Sequence, residues 1–471
     1  MLRLQLLPTQ PLIKFNQQLP ISNWSYPFHR DEDRNPDQLA AYATPRRAEV
    51  RRRAVYIHIP FCETICNFCP FHRDKYKSRL EIDQYLGALV TEIDLKSNFI
   101  GRSKANAIFV GGGTPSLLSP SQIELLGGAI ARNFDLNELI EFTFEVEVKS
   151  VTQEKLRAMR AIGVNRISFG VQTFSERFRM LFALDATEKQ ICDTAALANS
   201  MFPYTNMDLL YGMAGQDLGQ LHDDVAAAVR LKTKTIDVYP INNLAASRAM
   251  HVVIARAGLE FLPATTRLQF RLCIDELLQQ LGYMPISGYS YATADEAFQD
   301  SLAPVQHAPK FLYHDILYGH HDDEIIGYGS SALSQIPGFN LYNLSNRRTY
   351  LSKIVEHSAL PHISFGPVEA PERGIVFFPY RGTLEKLSVP WDRVPDETLV
   401  SLRKAAEAGL IVDQGDRYAL TKVGWLFYVN LMYFMMPERG KRWISDQIER
   451  QQQQGRSSGS TDLTELIPLG V

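Results

Sequence analysis

The chain is poor in cysteine, nearly neutral and without a long apolar run. Of 471 residues only five are cysteine, and three of these fall within positions 62–69. A disulfide framework spreads its cysteines through the fold, so this clustering argues against one and points to metal. A formal net charge of -3 gives no electrostatic attraction to a polyanion, and nucleic acid is set aside. No stretch approaches the roughly 20 apolar residues of a membrane span. The amino-terminal MLRLQLLPTQPLIKF also lacks an apolar run closed by a small-residue cleavage site. A cytoplasmic protein is expected. Hydrophobic residues at 45% and charged residues at 21% suit an ordinary globular chain, and the length suggests roughly two to four domains. Cys192 and Cys273 lie in the apolar helical patterns QICDTAALA and FRLCIDELL and read as small buried hydrophobes.

Between Val55 and Ile241 short β-rich runs alternate with helical patterns. Strands are expected at Val55–Ile59, Ala107–Val110, Glu141–Val148, Arg166–Val171, Asn206–Tyr211 and Ile236–Ile241, with helices between them such as Leu80–Asn98, Pro120–Asn133, Gln153–Ala161 and Leu218–Leu231. Parallel strands need crossovers, so the fold class is α/β: a partial (β/α)6 barrel over 51–245, with its chemistry at the carboxyl ends of the strands. The expected remainder is an amino-terminal extension or lid (1–50), an accessory region with little periodicity over the barrel mouth (246–370) and a carboxyl-terminal α+β extension. That extension holds a winged-helix-like module (371–446) and a disordered tail (447–471), whose Gln451–Gly459 stretch is Gln, Ser and Gly rich.

The strongest motif is HIPFCETICNFCPF, which places Cys62, Cys66 and Cys69 directly after a strand. Three thiolates at this spacing suit an iron–sulfur cluster; structural zinc wants a fourth close ligand, for which His72 is the nearby rival. Three irons held by protein leave the fourth open to a small chelating molecule. Gly111, Gly112 and Gly113, followed by Thr114 and Pro115, end the second strand and let backbone amides approach a charged ligand. Glu145 at a strand end can accept hydrogen bonds from hydroxyl or ammonium groups.

These residues resemble the radical S-adenosylmethionine (SAM) superfamily. There the open iron of a [4Fe–4S] cluster binds the amino and carboxylate groups of SAM, whose reductive cleavage yields a 5′-deoxyadenosyl radical. YIHIPFC and Phe68 look like the oxygen-independent coproporphyrinogen III oxidase group, which includes heme chaperones and heme-utilisation enzymes. The resemblance spans about Ser25 to Leu431 and implies SAM contacts at Tyr56, Phe68, Gly112, Gly113, Thr114, Glu145, Gln172 (in GVQTF), Asp208 (in NMDLLYG), Asn242 and Leu333 (in EIIGYGSSALSQI). One or two SAM molecules are implied. Relatives with two usually carry an arginine where this chain has Leu184, so a charged contact to a second carboxylate is either absent or supplied by Arg177 or Arg179.

CPFHRD, NWSYPFHRDED and the insertion from Gln299 to Gly329 look most like the heme-utilisation branch. That resemblance implies anaerobic, methyltransferase-type opening of heme to a linear tetrapyrrole with release of iron. A coproporphyrinogen decarboxylase and a heme chaperone without turnover remain alternatives. A flavodoxin-like electron donor and a downstream tetrapyrrole reductase or carrier are implied partners. A flat, apolar, doubly carboxylated substrate needs aromatic faces and a few cations. His307, His314, His320 and His321 are candidate iron contacts, and Arg347 and Arg348 candidate propionate contacts. No residue is assigned to the chemical step.

Overall fold

A computed structural model describes residues 14–16, 25–42, 50–69, 71–241, 248–293, 311–453 and 466–468. Six strands follow the expected order: β1 (Arg52–Ile59), β2 (Ala107–Gly112), β3 (Glu141–Val146), β4 (Arg166–Gln172), β5 (Tyr204–Tyr211) and β6 (Thr235–Pro240). Each pairs in parallel with the next. The crossovers contain α1 (Arg79–Ile100), α2 (Pro120–Asn133), α3 (Gln153–Ala161), α4 (Glu188–Met201) and α5 (Leu218–Arg230). Reciprocal capping boxes start three of them, pairing Ser119 with Gln122, Thr187 with Gln190 and Asp217 with Gln220.

Side chains alternate between the two faces of a strand. One parity is apolar: Val55, Ile57, Ile108, Val110, Phe142, Phe144, Ile167, Phe169, Met207, Leu209, Ile236 and Val238 join the helices in one core. The other parity is polar or aromatic and faces the lumen.

Beyond the six strands the sheet continues on both sides. On one, β7 (Tyr283–Pro285) and β8 (Ser290–Thr293) add antiparallel to β6. On the other, β9 (Asp323–Tyr328) lies parallel to β1, followed by antiparallel β10 (Leu333–Ile336), β11 (Phe339–Asn343) and β12 (His362–Phe365). Among the described residues no pairing joins the two edges, so the six strands form an open barrel inside a larger sheet. The region after Tyr283, where the sequence shows little periodicity, thus holds several strands. These strands are too short to show a period, and β9 is buried along its whole length, so it does not alternate.

Within this region α6 (Leu312–Leu317) and α7 (Arg347–Val355) pack against the sheet. A second core gathers around α8 (Arg373–Arg381), α9 (Asp396–Glu407), a small sheet of β13 (Thr383–Glu385), β14 (Ile411–Asp413) and β15 (Arg417–Leu420), and α10 (Tyr428–Met435). The amino-terminal segment is built into it. Phe28 stacks on Trp443 with ring centroids 4.2 Å apart, and the Tyr26 carbonyl accepts from Gln335 and Arg373. Arg34–Asn35 pairs with β12. This part of the extension is therefore a strap holding the second core to the sheet.

Two further expectations are corrected. Helix α11 (Glu438–Gln453) carries order past residue 447, while 454–459 lie outside the described residues. Cys192 and Cys273 are exposed, because Ile191 and Ala195 in one helix, and Phe270 and Ile274 in the other, take the buried faces. No helix among the described residues is long and apolar enough to cross a membrane.

A buried ion pair ties α1 to the sheet edge. Glu92 and Lys96 are fully buried, 2.6 Å apart. Glu92 also accepts from the Gly329 amide, Asn343 and the Tyr350 hydroxyl at 2.6–2.8 Å. Removing one partner of such a pair strands the other charge, at a cost of about 3–5 kcal/mol. Lys96→Met is therefore expected to lower the urea midpoint by that equivalent, and an unchanged midpoint would show the pair to be dispensable.

Candidate functional site

The cysteine loop leaves the end of β1 and returns beside it, because Phe61–Cys62 pairs in parallel with Asp74–Lys75. Cys62 is buried; Cys66 and Cys69 are half-buried, and the Cys69 amide donates to the Cys66 carbonyl at 3.3 Å. Asn67 braces the loop against Leu181 and Phe182, and Phe68 packs edge-on to Phe182 at 5.6 Å. The glycine turn is pinned to the same place. The Gly113 amide donates to the Ile59 carbonyl at 2.8 Å and the Thr114 amide to that of Phe61 at 2.7 Å. A Cβ at Gly113 would meet these carbonyls, and one at Gly112, whose φ is +116°, would lie 2.5 Å from the His58 ring. Only glycine permits this approach.

Burial pushes all three thiols up, and the proximity of Cys69 and Cys62 helps raise Cys66 to about 12. Three thiols thus converge where their thiolates would repel, which is the donor set that a cationic iron cluster stabilises. Among the described residues no three His, Cys, Asp or Glu side chains gather tightly enough for a single metal ion, whereas a cubane takes its thiolates at separate corners. His72 does not complete a mononuclear site. Its carbonyl accepts from His58 Nε2 at 3.1 Å, which fixes the His58 tautomer so that Nδ1 accepts from the Tyr56 hydroxyl at 2.8 Å.

Glu145 accepts from the Gly112 amide at 2.9 Å. Next in the lumen is Asp208, in register with Asp237 on β6. The Asn206 amide donates to Asp208 at 2.8 Å, to Asp237 at 3.3 Å and to Ser168 at 3.1 Å, and the Tyr239 hydroxyl reaches Asp237 at 3.2 Å. Burial, then mutual repulsion, holds Asp208 well above the carboxylate range. Gln172 ends β4 at a register shift with φ +72°, an uncommon conformation for a non-glycine residue. Leu333 opens β10, half-buried. Asn242 lies outside the described residues.

Asp237, Tyr239 and His58 were not singled out from the sequence, although Asp237 and Tyr239 alternate with Ile236 and Val238 in a parallel strand. A carboxylate at such a position is itself the signal. Leu184 sits in an apolar cluster with Phe178 and Phe182. Arg179 is consumed by the carbonyls of Val171, Thr173 and Ala186, leaving Arg177, whose guanidinium lies over Phe178 at 5.3 Å. Arg347 pairs with Asp74 and Glu81, and Arg348 is exposed.

Residues 56–226 match the family model of the Radical SAM superfamily. The chain carries a radical SAM domain. Such domains use a [4Fe–4S] cluster and SAM, which the cysteine loop and glycine turn fit. The chain is 27% identical over 356 residues to the heme chaperone HemW of Bacillus subtilis, covering 75% of this chain and 84% of the relative. It is 31% identical over 200 residues to the anaerobilin synthase of Escherichia coli O157:H7, covering 42% and 45%. The solved structure of Escherichia coli coproporphyrinogen III oxidase superposes with a TM-score of 0.71 at 23% identity, covering 92% of this chain and 96% of that one. The shared fold thus extends well beyond the domain. Residues 56–226 are thus a radical SAM domain, and the chain is similar over most of its length to these chaperones and oxidases.

Glu145 sets a pH dependence. Burial pushes it up to about 7 from an ordinary 4.5. Between these values the folded chain holds a proton that the unfolded chain has lost, so this group's contribution to stability falls as pH rises through that window. Without SAM, Glu145→Gln should lose less melting temperature than the parent between about pH 5 and about pH 8, by a few degrees. Identical curves would contradict the assignment.

Proposed function

We propose that this radical SAM enzyme opens the heme macrocycle without oxygen, by the methyltransferase-type chemistry of the heme-utilisation branch. The observation that carries this reading is an aromatic wall beside the lumen carboxylates. Tyr239 and Tyr289 lie 4.3 Å apart, Tyr289 and Tyr380 5.3 Å, and Tyr380 and Tyr318 4.0 Å, with His314 against Tyr289 and Tyr380. Such a surface suits a large flat apolar ring. The relative named anaerobilin synthase adds support, as do CPFHRD and the long insertion.

In this reading Cys62, Cys66 and Cys69 hold the cluster and leave one iron for SAM. Bound together, cluster and cosubstrate supply reductive cleavage of the sulfonium carbon–sulfur bond. The chain's own residues orient and enclose. Backbone groups of Gly112, Gly113 and Thr114 meet the amino-acid end, while Glu145 and Asp208 accept from ammonium or ribose hydroxyls. Tyr56, Phe68, Gln172 and Leu333 pack the rest of the molecule. The strap and the second core close the lumen, which protects radical chemistry from water and stray C–H bonds. If a second SAM binds, Arg177 is the cation left for its carboxylate. Reducing equivalents come from a flavodoxin-like donor, and the product passes to a tetrapyrrole reductase or carrier.

Anaerobic incubation of the reconstituted, reduced protein with heme and SAM should abolish the Soret band and yield a methylated linear tetrapyrrole. Counting adenosyl products per ring opened gives the number of SAM molecules consumed. Bound heme with an unchanged spectrum would mark a carrier, and carbon dioxide from coproporphyrinogen a decarboxylase. Cys69→Ala should remove the cluster absorption and the turnover together.

A further inference from the structure

Four histidines stand in or near the insertion, and their surroundings separate them. His320 is 2% exposed, with its ring nitrogens on Ser388 and Arg381. His321 lies 4.0 Å from Asp322 at the periphery, and His307 is outside the described residues. His314 differs. Its ring lies against Phe311 with centroids 3.8 Å apart, and its Nδ1 is within hydrogen-bond distance of both the Tyr289 hydroxyl (3.2 Å) and the Tyr380 hydroxyl (3.0 Å). Among the described residues nothing hydrogen-bonds its Nε2, and the residue is half-buried.

Tyr56, Glu145, Asp208, Tyr239, Tyr289 and His314 are all set deep in the fold, and each keeps accessible surface. Contacts connect His314 to both sides of the proposed SAM site. One route runs through Tyr289, Tyr239 and Asp237 to Asn206 and Asp208; the other runs through Tyr313, whose ring is 6.0 Å from Tyr56. The helix that carries His314 is anchored from below. Glu141 on β3 accepts from the Leu312 and Tyr313 amides at 2.7 and 3.3 Å, and Arg52 on β1 binds both Asp315 on α6 and Asp323 on β9.

We propose that His314 is the axial ligand that binds the iron of the heme substrate through Nε2, with Nδ1–H donating to the phenol oxygens of Tyr289 and Tyr380. This rests on the heme reading above and adds to it the residue that orients the ring. Ligation through one nitrogen with an acceptor on the other is how proteins fix an imidazole's tautomer and direction. Burial and the nearby Arg166 push His314 down to about 3, so the ring is neutral and its lone pair free. The aromatic wall then flanks the macrocycle, and the ring lies beside Asp208 and Glu145, where SAM would be held.

The test is binding, before any reductant is added, with ferric heme and with metal-free protoporphyrin as probes of the full-length, cluster-loaded protein. The parent should bind both, with an iron–nitrogen signature in the ferric complex that responds to 15N-labelled histidine. His314→Ala should weaken ferric heme by at least about tenfold, shift its spin state and leave metal-free porphyrin unaffected; added imidazole should restore the parental spectrum. Unchanged ferric heme binding and spectrum in His314→Ala would overturn the ligand assignment while the heme reading stands. Should His314→Ala lose both porphyrins through collapse of the pocket, the labelled parent decides: absence of nitrogen coupling overturns the proposal. A parent that binds neither porphyrin sinks the heme reading as well.

Discussion

Everything at this site depends on the alternation of side chains along six parallel strands. A parallel sheet covered by helices usually reads as continuous apolar runs, because both faces are dry. Here only one face is. Phe142, Phe144 and Val146 of β3 enter the helical core, while Glu141, Thr143 and Glu145 between them turn to the lumen. The same parity places Ser168, Asn206, Asp208, Asp237 and Tyr239 there. A slip of one residue in any strand would exchange these sets, burying carboxylates among helices and presenting phenylalanine to the cavity. Register therefore specifies the chemistry as well as the fold.

That alternation explains which features were legible in the sequence. The barrel strands appeared at the right places and in the right order because each is bounded by glycine, proline or a capped helix. The cysteine loop was legible because three thiols in eight positions have few explanations, Glu145 because it stands near a strand end, and Asp208 because it lies in a recognisable motif. Asp237 and Tyr239 belong to the same inward set but lie in no such motif. What connects them to Asp208 is Asn206, two residues away along its strand and one strand away in space. Contacts across strands do not show in a one-dimensional reading. The exposure of Cys192 and Cys273 was missed for a related reason: an apolar helical pattern locates a buried stripe, yet one position either side of it already faces water.

The region after Tyr283 shows the opposite failure. Its strands are held by pairing with distant partners, β9 with β1 and β8 with β6, and short segments of this kind carry little local signal. The strap is similar. Tyr26 and Phe28 have no local reason to be ordered; they are ordered because α8 and α11 offer Glu372, Arg373 and Trp443. Segments near both ends of the chain thus contribute to one core, and the strap's contacts hold that core on the sheet.

The lumen's charge state follows from burial. Glu145, Asp208 and Asp237 are gathered in a space with Arg166 as the cation that draws two of them down; burial raises all three carboxyls, and repulsion from the other two raises Asp208 further. Without a ligand the cheapest state keeps protons on some of them, since unpaired buried charge costs more than a neutral acid. A ligand bringing positive charge reverses that balance, and its binding releases protons as carboxylates form around it. The same environment holds the His314 ring neutral. Burial thus favours a cationic molecule at the carboxylates and a neutral nitrogen at His314, and these opposite preferences arise from a single physical cause.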